Sequence, residues 1–288
     1  GAIASNVAVP NGVVMISPSA TSPGLTTLDD KGFFFRTAPS DARGGQILAD
    51  ITKDKGIKSV AITYVNSDYG LGLADVYKAA VEAHGITVTA MESHESDRAD
   101  YSADVGVLSS AGGDALAVLG YLDNAGGHLI EGSLDSGAFD TFVLSDGMIG
   151  DALTERFGSD LDKSFGSMPG SLGEAAQLFK SVAEAGGINP SVYVGESYDA
   201  AALIVLAMQA GNSSDKGSIV ANVMSVANAP GEKIYAGELA KGLKLLADGK
   251  AVDYQGATDV TFTSVGEAEG AFIEKGISGG NWTDVAQR

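Results

Sequence analysis

A chain of 288 residues with 44% hydrophobic content is long enough for two lobes, each with its own core. Its net charge of −19 argues against nucleic acid as a partner, and the absence of cysteine removes thiol catalysis, disulfides and thiolate metal sites. No stretch approaches the roughly 20 apolar residues of a membrane-spanning helix, so no membrane insertion is expected.

Residues 2–9 read as a helix and residues 13–16, Val-Val-Met-Ile, as a short strand. Ser17-Pro18-Ser19-Ala20-Thr21-Ser22-Pro23 follow at once. The two prolines hold the chain off helical angles. The small residues between them offer N–H and O–H groups without charge or bulk, a seat for a carboxylate. An ordinary strand-to-helix loop is the competing reading.

From Lys58 strands and helices alternate. Strands are expected at 59–65, 86–91, 115–119, 141–144 and 163–168, and helices at 71–83, 101–111, 124–134 and 151–157. The apolar run at 59–65 suits a strand buried on both faces, and Gly85 suits a helix end. Such alternation predicts a doubly wound α/β sheet with right-handed crossovers. Beyond Pro169 the pattern turns helical, at 173–185, 193–210, 217–227 and 237–247, before strands at 254–262 and 270–277 around Gly266. These late helices have no strands of their own in this reading, so they are expected to return to the first lobe. The resulting division is two Rossmann-like lobes, 1–36 with 169–268 and 37–168 with 269–288, joined by a hinge of several crossings.

Tyr69 in Ser67-Asp68-Tyr69-Gly70, Tyr121 after 115–119, and Asp146 in Leu144-Ser145-Asp146-Gly147 each follow a predicted strand. Open α/β sheets bind ligands at such strand ends. Tyr69 could equally be a turn tyrosine, and Asp146 a helix cap or Asx turn. Topology favours a site: parallel strands bring the three to one edge, with an anion for an ammonium and rings for apolar and cation–π contact. Ser19, Ala20 and Thr21, at a strand end of the other lobe, would take the carboxylate of the same zwitterion. The histidines His84, His94 and His128 are widely spaced and read as solvated surface residues without zinc-site spacing. Neither Gly-x-Ser-x-Gly nor a P-loop occurs, so neither an enzyme nor a cofactor is expected. Glu196-Ser197-Tyr198-Asp199 opens a long predicted helix and reads as its cap, or else as a group reaching the hinge side of the site.

The run GVVMISPSATSP, with FFFRTAPSD and NSDYGLGLAD, closely resembles the solute-binding proteins of branched-chain amino acid ABC transporters, the leucine/isoleucine/valine-binding type. The likeness runs the length of the chain. It implies a type I periplasmic binding protein that captures a small amino acid, branched-chain or related, and presents it to an ABC permease outside the cytoplasm. It also implies that Ser19, Ala20 and Thr21 match the carboxylate loop, Tyr69 and Tyr121 the ligand-contacting tyrosines, and Asp146 the acid that binds the α-amino group. That acid is Glu in some relatives. Family members reach this loop after a βαβ unit and a serine-bearing loop, so the first lobe is expected to be incomplete in this chain. Gly1 to Pro10 carries no basic segment or cleavage pattern of a signal peptide. A ligand-sensing receptor of the same fold, binding an amide, a urea or an organic or aromatic acid, is the alternative; Asp146 favours an α-amino group.

Overall fold

After the expected helical stretch, observed over Ala4–Ala8 and Val9–Asn11, the chain forms two short strands, β1 (Met15–Ser17) and β2 (Phe34–Arg36), paired in parallel with Met15 opposite Phe34. The computed structural model describes residues 1–288, which fall into two units. The first comprises Gly1–Ser40 and Pro169–Ala271, the second Asp41–Met168 and Phe272–Arg288.

In the second unit the chain runs through α1 (Asp41–Asp54), β3 (Ser59–Val65), α2 (Asp68–Ala83), β4 (Thr87–His94) and α3 (Ser102–Ala111). It continues through β5 (Ala115–Leu119), α4 (Gly127–Ser136), β6 (Phe142–Leu144), α5 (Asp151–Phe157) and β7 (Phe165–Pro169). Alternate residues of β3 and β5 serve different cores. Val60, Ile62, Ala115 and Ala117 pack with α1 and α2, while Ala61, Leu116 and Val118 pack with α3 and α4. Both faces are therefore covered, which is why these strands read as unbroken apolar runs. The sheet is doubly wound, as the alternation predicts.

Helix α1 has no counterpart in the sequence reading. Its Gly44-Gly45 pair weakens the helical signal, and packing demands it: a Cβ at Gly44 would lie 2.9 Å from the Phe272 ring, and one at Gly45 2.8 Å from Val76.

The first unit resumes with α6 (Glu174–Ala185), α7 (Val194–Ala210), α8 (Lys216–Ala227), β8 (Glu232–Tyr235), α9 (Leu239–Ala247) and β9 (Val252–Gly256). Contrary to expectation, these helices have strands beneath them: β8 and β9 pair in parallel. Strand β8 escaped notice because Glu232 and Lys233 are exposed and only Ile234 is fully buried. The strand expected over 254–262 stops at Gly256, whose φ of +62° leaves the extended region. The core joins α7, α8, β8 and β9 through Leu203, Leu206, Val223, Ile234 and Tyr254, with Phe35 and Phe262 in ring contact.

Back in the second unit, β10 (Phe272–Ser278) and β11 (Asn281–Gln287) form an antiparallel hairpin, completing a seven-stranded sheet of order β11-β10-β7-β6-β5-β3-β4. The largely exposed, polar edge strand β11 carries no apolar alternation to announce it.

Candidate functional site

Parallel pairing of β5 with β3 and β6 sets the carboxyl ends of the three strands along one edge of the second unit's sheet. Tyr69 stands in the first turn of α2, where the Ser67 hydroxyl caps the helix by accepting the Gly70 N–H at 3.2 Å. The turn is tight enough that a Cβ at Gly70 would sit 2.1 Å from the Val65 carbonyl. Tyr121 follows β5, and Asp146 opens a short 3₁₀ turn after β6.

Sequence reasoning placed these three residues together, and the structure brings them into contact. The Tyr69 hydroxyl donates to Asp146 Oδ1 at 2.6 Å, and the Tyr69 and Tyr121 ring centroids are 5.3 Å apart. Asp146 is buried and Tyr121 is exposed. Burial, then the charges of Asp146 and Asp41, hold the Tyr69 phenol well above its ordinary range, so it stays a neutral donor. The Tyr121 phenol is raised by the same causes in the same order. The Ser145 hydroxyl, which the sequence did not single out, lies 3.2 Å from the Tyr69 hydroxyl and accepts the Gly120 N–H at 3.2 Å. Gly147 is required: a Cβ there would come within 2.3 Å of the Gly120 carbonyl and 2.9 Å of the Tyr121 ring. The cluster is an anion with one strong donor and a ring beside it, suited to an ammonium.

His94 corrects an expectation. It is buried, its Nδ1 lies 2.8 Å from the Thr63 hydroxyl, and burial pushes its pKa down to about 4. His84 bonds Asp50 and His128 stacks on Tyr101. No group of three or more His, Cys, Asp or Glu side chains is arranged to hold a metal ion.

In the first unit, Ser19, Ala20 and Thr21 follow β1. Ser19 is exposed and Thr21 buried. The Ala20 N–H donates to Ser17 Oγ at 3.1 Å, so that donor is spent locally. The loop is held from beneath by Arg36, which donates to the carbonyls of Ala20 and Ser22, to Thr26 and, from Nε and Nη2, to Glu267. This fully buried guanidinium turns the loop's carbonyls inward.

Helix α7 starts near the same strand ends. Thr37 N–H donates to the Ser17 carbonyl, and the Thr37 hydroxyl donates to the Glu196 carbonyl at 2.8 Å. Glu196 and Asp199 do not cap α7, as the sequence suggested. Its N-cap is Tyr193, in the left-handed region at φ 64°, without a side-chain cap. Asp199 lies inside the helix, fully buried, and accepts from the Tyr254 hydroxyl, the Ala257 N–H and both the N–H and hydroxyl of Thr258. It secures the turn after β9, and burial lifts its pKa to about 6 against those four donors. The Glu196 carboxyl, also buried, is lifted to about 7 by burial and, more weakly, by the Asp199 charge.

A model of the receptor family ligand-binding region matches residues 2–117. The chain is 36% identical over 152 residues to a Leu/Ile/Val-binding protein homolog 3 of Brucella melitensis, covering 50% of this chain and 40% of that one. It is 30% identical over 235 residues to a Leu/Ile/Val-binding protein homolog 2 of Brucella abortus, covering 80% and 60%. The chain thus spans about half the length of these relatives. Among solved structures, the branched-chain amino acid transporter substrate-binding protein LivJ of Streptococcus pneumoniae, in complex with isoleucine, superposes with a TM-score of 0.78 at 20% identity. That match covers all of this chain and 77% of the other.

Proposed function

We propose, for a chain that belongs to the type I periplasmic binding proteins, that it captures a small amino acid, branched-chain or related, and delivers it to an ABC permease. No bond is made or broken, and the setting is extracytoplasmic. The observation that carries this reading is the Tyr69–Asp146 hydrogen bond beside Tyr121. A buried carboxylate that accepts a phenolic donor beside two aromatic rings is chemically suited to an ammonium, which brings positive charge and donors together. The carboxylate of the same ligand goes to the loop Ser19–Ala20–Thr21, through the N–H and O–H groups of Ser19 and Thr21. A ligand lacking either charge forfeits a partner whose loss costs several kcal/mol.

Calorimetry tests it. Asp146→Asn keeps size and hydrogen bonding but removes the charge, so amino-acid affinity is expected to fall by about 2–5 kcal/mol, roughly thirtyfold or more. The deaminated acid of the same ligand should lose a similar amount against the native protein. Undiminished binding in both experiments makes Asp146 a turn residue and the site a receptor for organic acids.

A further inference from the structure

Between α3 and α4 of the second unit lies an open groove of about 420 Å³. Residues four apart line both sides, Tyr101, Val105 and Ser109 along α3 and His128, Gly132 and Ser136 along α4. Eight residues of helix make it about 12 Å long. The two sides meet at the Tyr101 and His128 rings, stacked with centroids 5.8 Å apart, and again at Gly132, where a Cβ would lie 3.0 Å from Val105. Packing within the chain therefore explains Gly132. It does not explain Gly106, which stands mid-α3, lines the same groove, and would offer a Cβ no atom within 4 Å. A glycine inside a helix weakens it relative to alanine, and here no neighbour in the chain requires the gap. The ionisable groups lining the groove are Asp100, Glu131, Asp135 and His128, with no Lys or Arg among them. Glu131 already pairs with Arg156 at 2.7 Å, which leaves Asp100 and Asp135 to set the sign.

We propose that this groove docks a basic helix of a partner protein, its backbone laid over Gly106 and its Lys or Arg side chains reaching Asp100 and Asp135. The missing Cβ lets a guest helix approach α3 closely, and the length of the groove matches about two of its turns. Charge chooses the occupant: a second copy of this chain, with its net charge of −19, is repelled, whereas a basic segment is drawn in. The inference stands apart from the amino-acid reading, since no residue of the groove belongs to the cluster of Tyr69, Tyr121 and Asp146.

Fluorescence anisotropy with a labelled helical Ala-Lys peptide of about 15 residues, set against its Ala-Glu counterpart, is the test. The native protein should bind the lysine peptide and not the glutamate one, with affinity falling as salt rises. Gly106→Leu and Ser109→Leu fill the groove and keep the net charge of −19, so each should weaken lysine-peptide binding at least about tenfold. Replacing a mid-helix glycine also favours the helix, so the urea midpoint of Gly106→Leu should rise. Ser109→Leu decides the matter if Gly106→Leu does not fold. Absence of binding by the native protein overturns the proposal. Equal binding by the native and groove-filled variants overturns it too, because the attraction would then belong to the acidic surface at large.

Discussion

Both units bury charged and polar groups but satisfy them differently. In the second unit Asp146 accepts from the Tyr69 phenol, Glu274 pairs with Arg288 and Lys55, and a neutral His94 lies against the Thr63 hydroxyl. In the first unit the matching is concentrated in two networks, around Arg36 and Asp199. The contrast separates two uses of a buried charge. A complete network shapes backbone, as Arg36 does for the loop after β1 and Asp199 for the turn after β9. A smaller set of partners, as at His94 and Glu274, fixes a side chain instead.

The largest expected effect comes from cutting a complete network. Arg36→Ala removes five donors and leaves Glu267 and the Ala20 and Ser22 carbonyls facing the gap, so it should cost about 3–5 kcal/mol in urea denaturation. Removing an exposed ion pair of the second unit, by Lys163→Ala opposite Asp140, should cost no more than about 1 kcal/mol. Similar losses in the two variants would erase the distinction between shaping and surface charge.

The units should also respond to pH in opposite directions. In the first, Glu196 rises from 4.5 to about 7 and Asp199 from 3.8 to about 6 on folding. The folded unit therefore holds more protons than the unfolded chain between about pH 4 and 7, and its stability falls as pH rises through that window. In the second, burial lowers His94 from 6.5 to about 4, so the unfolded chain holds the extra proton and stability is lost as pH falls through the same window. Each group contributes on the order of 3 kcal/mol. Trp282, the one tryptophan, belongs to the second unit, with its indole N–H on the Gly150 carbonyl. Its fluorescence midpoint in urea should therefore drop between pH 7 and 4.5, and His94→Gln should flatten that drop. The part of the circular dichroism signal not shared with Trp282 should move the other way, less so in Glu196→Gln. Parallel shifts of both signals would break the comparison.

The sheet of the second unit was largely legible because its strands are buried on both faces and announce themselves as apolar runs; 59–65 and 115–119 match their observed limits. What escaped were elements whose cause is tertiary. Helix α1 hides behind a glycine pair that helix packing requires, β8 behind exposed charges, and β11 behind the polarity of an edge. The site divides in the same way. Tyr69, Tyr121 and Asp146 could be gathered from strand order alone, since parallel pairing fixes which ends are neighbours. No local pattern announces that Asp199 reaches across 58 residues to Ala257, that the Ala20 N–H is taken by Ser17, or that His94 faces inward at the end of β4. The available hint for the last of these was that His94 shares the strand face of Val88 and Ala90 along β4.

The smallest expected effect probes how rigidly the second unit holds its tyrosine. The Ser145 hydroxyl spans Gly120, accepting its N–H at 3.2 Å and donating to its carbonyl at 3.4 Å, while lying 3.2 Å from the Tyr69 hydroxyl. These contacts are neutral and long, so Ser145→Ala should cost only about 1 kcal/mol, chiefly from the Gly120 N–H left without a partner. If Ser145 also steadies the phenol that serves Asp146, Ser145→Ala and Tyr69→Phe should not add. A double-mutant cycle followed by Trp282 fluorescence should return a coupling of at least about 0.5 kcal/mol. Strict additivity would mean that Tyr69 is placed by α2 and its 2.6 Å bond to Asp146, independently of Ser145.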